Sequence, residues 1–132
     1  MDERAVLDSD VLIDYLRGAG TGRDLVRALI AGRGYRVSAV SAFELALGRA
    51  YRENPGPVEA LVAVPVLMLG RAAALRGGAL MGELASRGEG IGLRDAMQAG
   101  ICIEAGALLV SRNTAHFERV PGLAVCEPGA LL

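Results

Sequence analysis

Four positions in this sequence carry oxygen donors that could hold a hard cation: Asp8, Glu44, Asp95 and Asn113. Asp8 follows the short apolar run Ala5-Val6-Leu7, and Glu44 falls three residues after Ser41. Asp95 opens the helical stretch that starts at Leu93, and Asn113 follows the apolar segment 107–111. Three carboxylates gathered in one place repel one another unless a cation lies among them. Oxygen donors favour Mg²⁺ or Mn²⁺, which keep water in their remaining coordination positions. Such a site suits metal-assisted phosphodiester hydrolysis: the metal lowers the pKa of a bound water, orients it and offsets charge on the leaving oxygen. A carboxylate can also accept a proton from the attacking water. Each acid has an ordinary explanation as well. Asp8 could cap a helix that begins near Ser9 or Asp10, Glu44 could complete a capping box with Ser41, and Asp95 is favoured by the dipole of a first helical turn. Asp10 and Asp14 read as helix-surface residues.

The elements that would position these side chains alternate between strand and helix. Residues 5–7 read as a buried strand, and Val11, Leu12, Tyr15 and Leu16 give helical spacing up to Gly18. A second helix covers 24–31, 35–40 is a short β-type run, and a helix with Ser41 as N-cap covers about 42–52. Asn54-Pro55-Gly56-Pro57 marks a turn, followed by a short helix. Residues 62–69 are a strand candidate interrupted by Pro65. Residues 71–87 have helix-forming composition weakened by Gly77, Gly78 and Gly82. A helix over 93–104 leads to a strand at 107–111, a polar segment at 112–117, a turn at Pro121-Gly122 and a last edge strand at 124–126. This alternation predicts a parallel sheet covered by helices on both faces. In open sheets of that kind, sites form beyond the carboxyl ends of the strands, where Asp8, Glu44, Asp95 and Asn113 are all expected.

A chain of 132 residues that is 52% hydrophobic is the size of one domain, 1–132, with apolar material for a real core. A net charge of −1 argues against an unfocused basic surface. All fourteen basic residues are arginine; arginine suits bidentate phosphate contacts, although coding bias explains its excess equally simply. Cys102 and Cys126 lack any paired CxxC spacing. They read as buried thiols of a reducing, cytoplasmic compartment. The apolar run after Met1-Asp2-Glu3-Arg4 is too short for a secretory or membrane segment. Gly18, Gly20 and Gly22 follow a helix rather than a strand, and Gly77-Gly78 lacks a P-loop lysine, so nucleotide-cofactor chemistry is excluded.

Four stretches carry a family resemblance. Val6-Leu7-Asp8-Ser9-Asp10-Val11-Leu12-Ile13-Asp14 resembles the opening motif of PIN domains, and Ser41-Ala42-Phe43-Glu44-Leu45 is similar to their second acidic motif. Gly92-Leu93-Arg94-Asp95-Ala96-Met97-Gln98-Ala99-Gly100 resembles the third. Leu109-Val110-Ser111-Arg112-Asn113-Thr114-Ala115-His116-Phe117, with Val120-Pro121-Gly122-Leu123, resembles the ending of VapC-type members. The resemblance implies a three-layer α/β/α domain around a central parallel sheet of about five strands. It implies a Mg²⁺- or Mn²⁺-dependent ribonuclease toxin acting on RNA, usually a homodimer, held inactive by a VapB-like antitoxin that often places an arginine near the carboxylates. By position, Asp8, Glu44 and Asp95 match the family's metal site. Asn113 stands where many members have a fourth acid; it can offer a carbonyl oxygen or hold a water but brings no charge. One metal in the resting site is therefore expected.

Other residues flank these positions. Ser9 could bond a ligand carboxylate or a metal-held water, or simply cap the next helix. Ser111, at its strand end, offers the same choice. Arg94, Arg112 and His116 could meet RNA phosphates, with Arg112 the preferred contact and Arg94 and His116 read as surface residues. Phe43 and Phe117 are expected in the core. Apolar helix surface between Tyr51 and Ala85 is in keeping with dimerisation or antitoxin capture. Two readings stand beside the ribonuclease toxin: a catalytically silent PIN-like binding module, and a PIN nuclease of RNA processing without an antitoxin.

Overall fold

The structure is a computed structural model that describes residues 2–132. Its sheet is built from very short strands, β1 (Val6–Leu7), β2 (Val37–Ser38), β3 (Val66–Leu67), β4 (Leu108–Val110) and β5 (Ala124–Cys126), paired in parallel. β1, β4 and β5 lie side by side in that order, β2 pairs with β3, and a parallel bridge from Val6 to Arg36 joins the two ladders. At that seam the Leu7 amide donates to the Arg36 carbonyl at 2.9 Å, and the Arg36 amide to the Ala5 carbonyl at 2.8 Å. The order across the sheet is thus β3-β2-β1-β4-β5, the expected α/β arrangement of five parallel strands.

Val6 and Leu7 show why both faces must be covered. Successive strand residues point to opposite sides, and both of these are fully buried. Leu7 packs with Val11, Leu12, Leu25, Val26 and Val58, from helices α1 (Ser9–Arg17), α2 (Gly20–Ala31) and α5 (Pro55–Leu61). Helices α3 (Ala39–Leu47) and α4 (Arg49–Glu53) run between α2 and α5 in sequence. On the other side Val6 packs with Cys102, Leu109 and Phe117, from α7 (Leu93–Ala105), β4 and α8 (Thr114–Phe117). Helix α6 (Arg71–Ser86) completes this layer by packing along α7. Between α7 and β4, Gly106 takes a left-handed φ of 61° and its amide caps the helix at the Ile103 carbonyl, 3.1 Å away. A short 3-10 helix, Pro128–Leu131, follows β5.

Several sequence expectations need correction. The run 35–40 is strand only at Val37–Ser38, after which helix α3 begins at once. Its N-cap is Ser38, whose Oγ accepts from the Ser41 amide at 3.1 Å, so Ser41 is not the cap and Glu44 closes no capping box. The helix expected over 42–52 breaks at Gly48, which is extended, into α3 and α4. The polar segment 112–117 contains the short helix α8. Helix α6 runs unbroken through its three glycines because one of them serves packing: a Cβ at Gly77 would stand 2.7 Å from the Ala96 carbonyl oxygen of α7. Phe117 is fully buried as expected, but Phe43 is 66% exposed. Cys102 is buried, and burial together with the charge of Asp8 pushes its thiol up to about 12, so it stays protonated and unreactive. Among the described residues no helix is long and apolar enough to cross a membrane.

Candidate metal centre

The strand order reverses at β1, which has β2 on one side and β4 on the other. Crevices at the carboxyl ends of strands form at such a switch point, and this one gathers most of the polar groups singled out in the sequence. Asp8 leaves the end of β1 and is almost fully buried. Its Oδ1 accepts from the Ser9 amide at 2.9 Å, so it caps α1. Its Oδ2 accepts from the Ser111 hydroxyl at 2.7 Å, which ties the ends of β1 and β4 together. The carboxylate that caps α1 is also one of the clustered acids.

Glu44 reaches the site from the second turn of α3. Its Oε1 accepts from the Ser9 hydroxyl at 3.0 Å, so Ser9 faces the acids rather than serving as a cap. Asp95 arrives from the first turn of α7. All three carboxylates converge on one cation supplied by the chain itself, the guanidinium of Arg94. Arg94 donates to Glu44 Oε1 from Nε at 2.8 Å and from Nη2 at 2.6 Å. It donates to Asp95 Oδ1 from Nη1 at 3.1 Å, to Ser9 Oγ from Nη2 at 3.1 Å, and to Asp8 Oδ1 from the same nitrogen. Burial works against the charge of this guanidinium, but hydrogen bonds to Glu44 and Asp8 and the charges of those two acids outweigh it and hold it protonated. Sequence reasoning had put Arg94 on the surface.

The remaining candidates lie around this cluster. Asn113 is exposed and does not touch the three acids; its Nδ2 lies 2.9 Å from His116 Nδ1. That ring nitrogen lies 3.3 Å from Asp95 Oδ2. One nitrogen cannot both accept from the amide and donate to the carboxylate, so the imidazole tautomer chooses between Asn113 and Asp95. Arg112 projects towards α1, where its Nε is 3.5 Å from Asp14 Oδ2 and its amide donates to Asp10 Oδ2 at 3.0 Å. Asp10 and Asp14 are therefore not plain surface acids: Asp14 is buried, and Asp10 keeps one buried oxygen, Oδ1, without a partner. Burial and the charge of Asp8 raise the Asp10 carboxyl, opposed by the Arg112 amide.

Gln98 was missed. It is fully buried one turn beyond Asp95, donates from Nε2 to Asp8 Oδ1 at 3.2 Å and to Ser41 Oγ at 3.0 Å, and accepts from the Ser38 hydroxyl. The signal was a lone amide on the same helical face as Asp95 in an otherwise apolar stretch. Gln98→Leu is expected to cost about 1–3 kcal/mol in urea unfolding, because it removes the buried hydrogen bonds to Asp8, Ser38 and Ser41.

The donor set fits a divalent cation. Three carboxylates around one guanidinium leave an excess of two negative charges, and Ser9 adds a neutral oxygen. As the side chains stand, no group of three acids, histidines or cysteines among the described residues closes on a single point. The Arg94 guanidinium lies between them.

Fold and site together define a parallel α/β domain with carboxylates gathered where its strand order reverses. Residues 5–123 match the PIN domain, and the chain belongs to that family. Within it the chain is VapC-like. It is 36% identical over 92 residues to a tRNA(fMet)-specific endonuclease VapC of Shigella flexneri, covering 66% of this chain and 70% of that protein. It is 32% identical over 94 residues to the protein of the same name from Salmonella typhimurium, covering 67% and 71%. Among solved structures, DNA-bound VapBC from Salmonella typhimurium superposes with a TM-score of 0.79 at 24% identity, covering 96% of this chain and 99% of that one. FitAcB from Neisseria gonorrhoeae superposes at 0.76 with 21% identity, covering 95% and 98%.

Proposed function

We propose that this protein is a metal-dependent endoribonuclease toxin that hydrolyses RNA phosphodiester bonds and is inhibited by a cognate VapB-like antitoxin. The observation that carries this reading is the convergence of Asp8, Glu44 and Asp95 on one cationic group at the switch point of the sheet. Asp8, Glu44 and Asp95 would hold Mg²⁺ or Mn²⁺, with the Ser9 hydroxyl beside them. When bound, the ion supplies Lewis acidity and an activated water for phosphodiester hydrolysis. Ser111 and Gln98 fix the Asp8 carboxylate in place through its two oxygens. Asp95 or Glu44, both partly open to solvent, can take the proton lost by the attacking water. Arg112, half exposed and beside Asp14, would turn from that acid to meet an RNA phosphate, with Asn113 and His116 at the rim.

RNA as substrate rests on the names of the curated relatives, and the antitoxin on the VapBC complexes among the solved structures. We include a homodimer in the same reading. Exposed Phe43, Met68, Leu69, Leu75 and Leu93 give the chain apolar surface to cover.

The test is cleavage of RNA, with a tRNA among the substrates, by purified protein in Mn²⁺ and then in excess EDTA. Cleavage that disappears with EDTA and returns with added Mn²⁺ is expected. Cleavage undiminished by EDTA would overturn the metal-dependent assignment.

A further inference from the structure

Arg94 lies where the three carboxylates meet and bonds an oxygen of each. Its Nε and Nη2 both donate to Glu44 Oε1, Nη1 donates to Asp95 Oδ1, and Nη2 donates to Asp8 Oδ1. A guanidinium in that position and a divalent ion bound to those oxygens exclude each other, since metal–oxygen contacts of about 2.0–2.2 Å leave no room for intervening N–H groups. We infer that Arg94 is an internal counter-cation of the metal-free site, and that metal binding proceeds only as an exchange in which Arg94 leaves the carboxylates. This rests on the reading of Asp8, Glu44 and Asp95 as metal ligands.

The arrangement permits the exchange. Arg94 is the second residue of α7, and its side chain keeps 28% of its surface exposed. The side chain therefore already meets solvent at the amino end of the helix. The energetics oppose leaving it out when no metal is present. Asp8 is nearly buried and Asp95 mostly so; without a cation their repulsion and desolvation go unanswered. The plugged state therefore stabilises the metal-free protein and lowers its apparent affinity for metal by the fraction of molecules that are plugged. A lysine here would bring the charge but not the planar fork that bonds several acceptors at once.

The experiment is Mn²⁺ binding, followed by calorimetry and by the electron paramagnetic resonance of free Mn²⁺, for the wild-type protein, Arg94→Gln and Arg94→Lys. Thermal unfolding of each is measured with and without the ion. Arg94→Gln is expected to bind Mn²⁺ at least about tenfold more tightly than wild type. Its metal-free form should unfold about 4 °C lower, with the larger share of its stability restored by Mn²⁺. Arg94→Lys should also bind more tightly than wild type, though less so than the glutamine variant.

Equal or weaker Mn²⁺ binding by a folded Arg94→Gln overturns the exchange. Arg94→Lys matching wild type while Arg94→Gln binds tightly reduces the effect to through-space charge and also overturns it. Absence of Mn²⁺ binding in all three proteins overturns the metal-site reading itself and the exchange with it. The two failures are therefore separable.

Discussion

Asp95→Asn is expected to lower metal-dependent RNA cleavage by more than about 100-fold while leaving the fold intact, since loss of a group that merely orients a metal ligand already costs roughly 10–100-fold. Asp95 is the most informative of the three acids to change. Its contacts are the Arg94 guanidinium and the His116 ring, and neither belongs to the core. An asparagine there keeps the shape and one acceptor oxygen but removes a full charge from the cation site. Asp8→Asn should abolish cleavage to at least the same degree, yet it also disturbs structure: Asp8 caps α1 and accepts from Ser111 and Gln98. An amide nitrogen facing either donor would leave a buried polar group unsatisfied. Circular dichroism and thermal unfolding beside the cleavage assay separate the two causes. Wild-type cleavage by a folded Asp95→Asn protein would remove Asp95 from the mechanism.

Gly100→Val is expected to destabilise the protein by more than about 3 kcal/mol, at the upper end of the cost of overpacking a core. Helices α6 and α7 approach so closely at this point that a Cβ at Gly100 would run into the Ala73 carbonyl oxygen and lie 2.9 Å from the Gly77 amide nitrogen. Both obstacles are backbone, which cannot rotate away, so the helices would have to separate. Gly78 and Gly82, on the same α6, face open space with nothing within 4 Å of a Cβ. Alanine at either is expected to stabilise by up to about 1 kcal/mol through helix propensity. Chemical denaturation of the three variants reads both signs in one series. A destabilisation at Gly78 equal to that at Gly100 would contradict the packing account.

That contrast shows what the sequence could and could not disclose. Residue spacing marks Gly77, Gly78 and Gly82 alike as helix weakeners; only the crossing of α6 on α7 separates the glycine that is needed from the two that are incidental. Alternating strands and helices were legible because four of the five strands, though only two or three residues long, are wholly apolar. The start of α3 was not, since Ala39 and Val40 extend the β-type run and Ser41 imitates a cap. Asp8 was legible as an acid at a strand end, and Glu44 and Asp95 as acids on helices. Arg94 was not, because residues adjacent on a helix project about 100° apart, and nothing in the spelling Arg94-Asp95 says that the longer side chain turns back over the shorter. Gln98 needed the same three-dimensional information, with the helical period from Asp95 as its one clue. Phe43 looked like core by residue type, and its exposure follows from α3 turning Val40 and Leu45 inward instead.

The bond from Ser111 to Asp8 spans 103 positions of sequence, and β1 finds its β4 partner only over a similar distance. A chain growing from its amino end at about 5–20 residues per second therefore makes Asp8 many seconds before the groups that orient it. Until β4 has emerged, β1 lacks a strand on one side, and contacts of such long range are the last to form. The Asp8 carboxylate thus lacks its bond from Ser111 in a partly synthesised chain. Its orientation is completed late, when β4 docks beside β1 and Ser111 reaches Asp8.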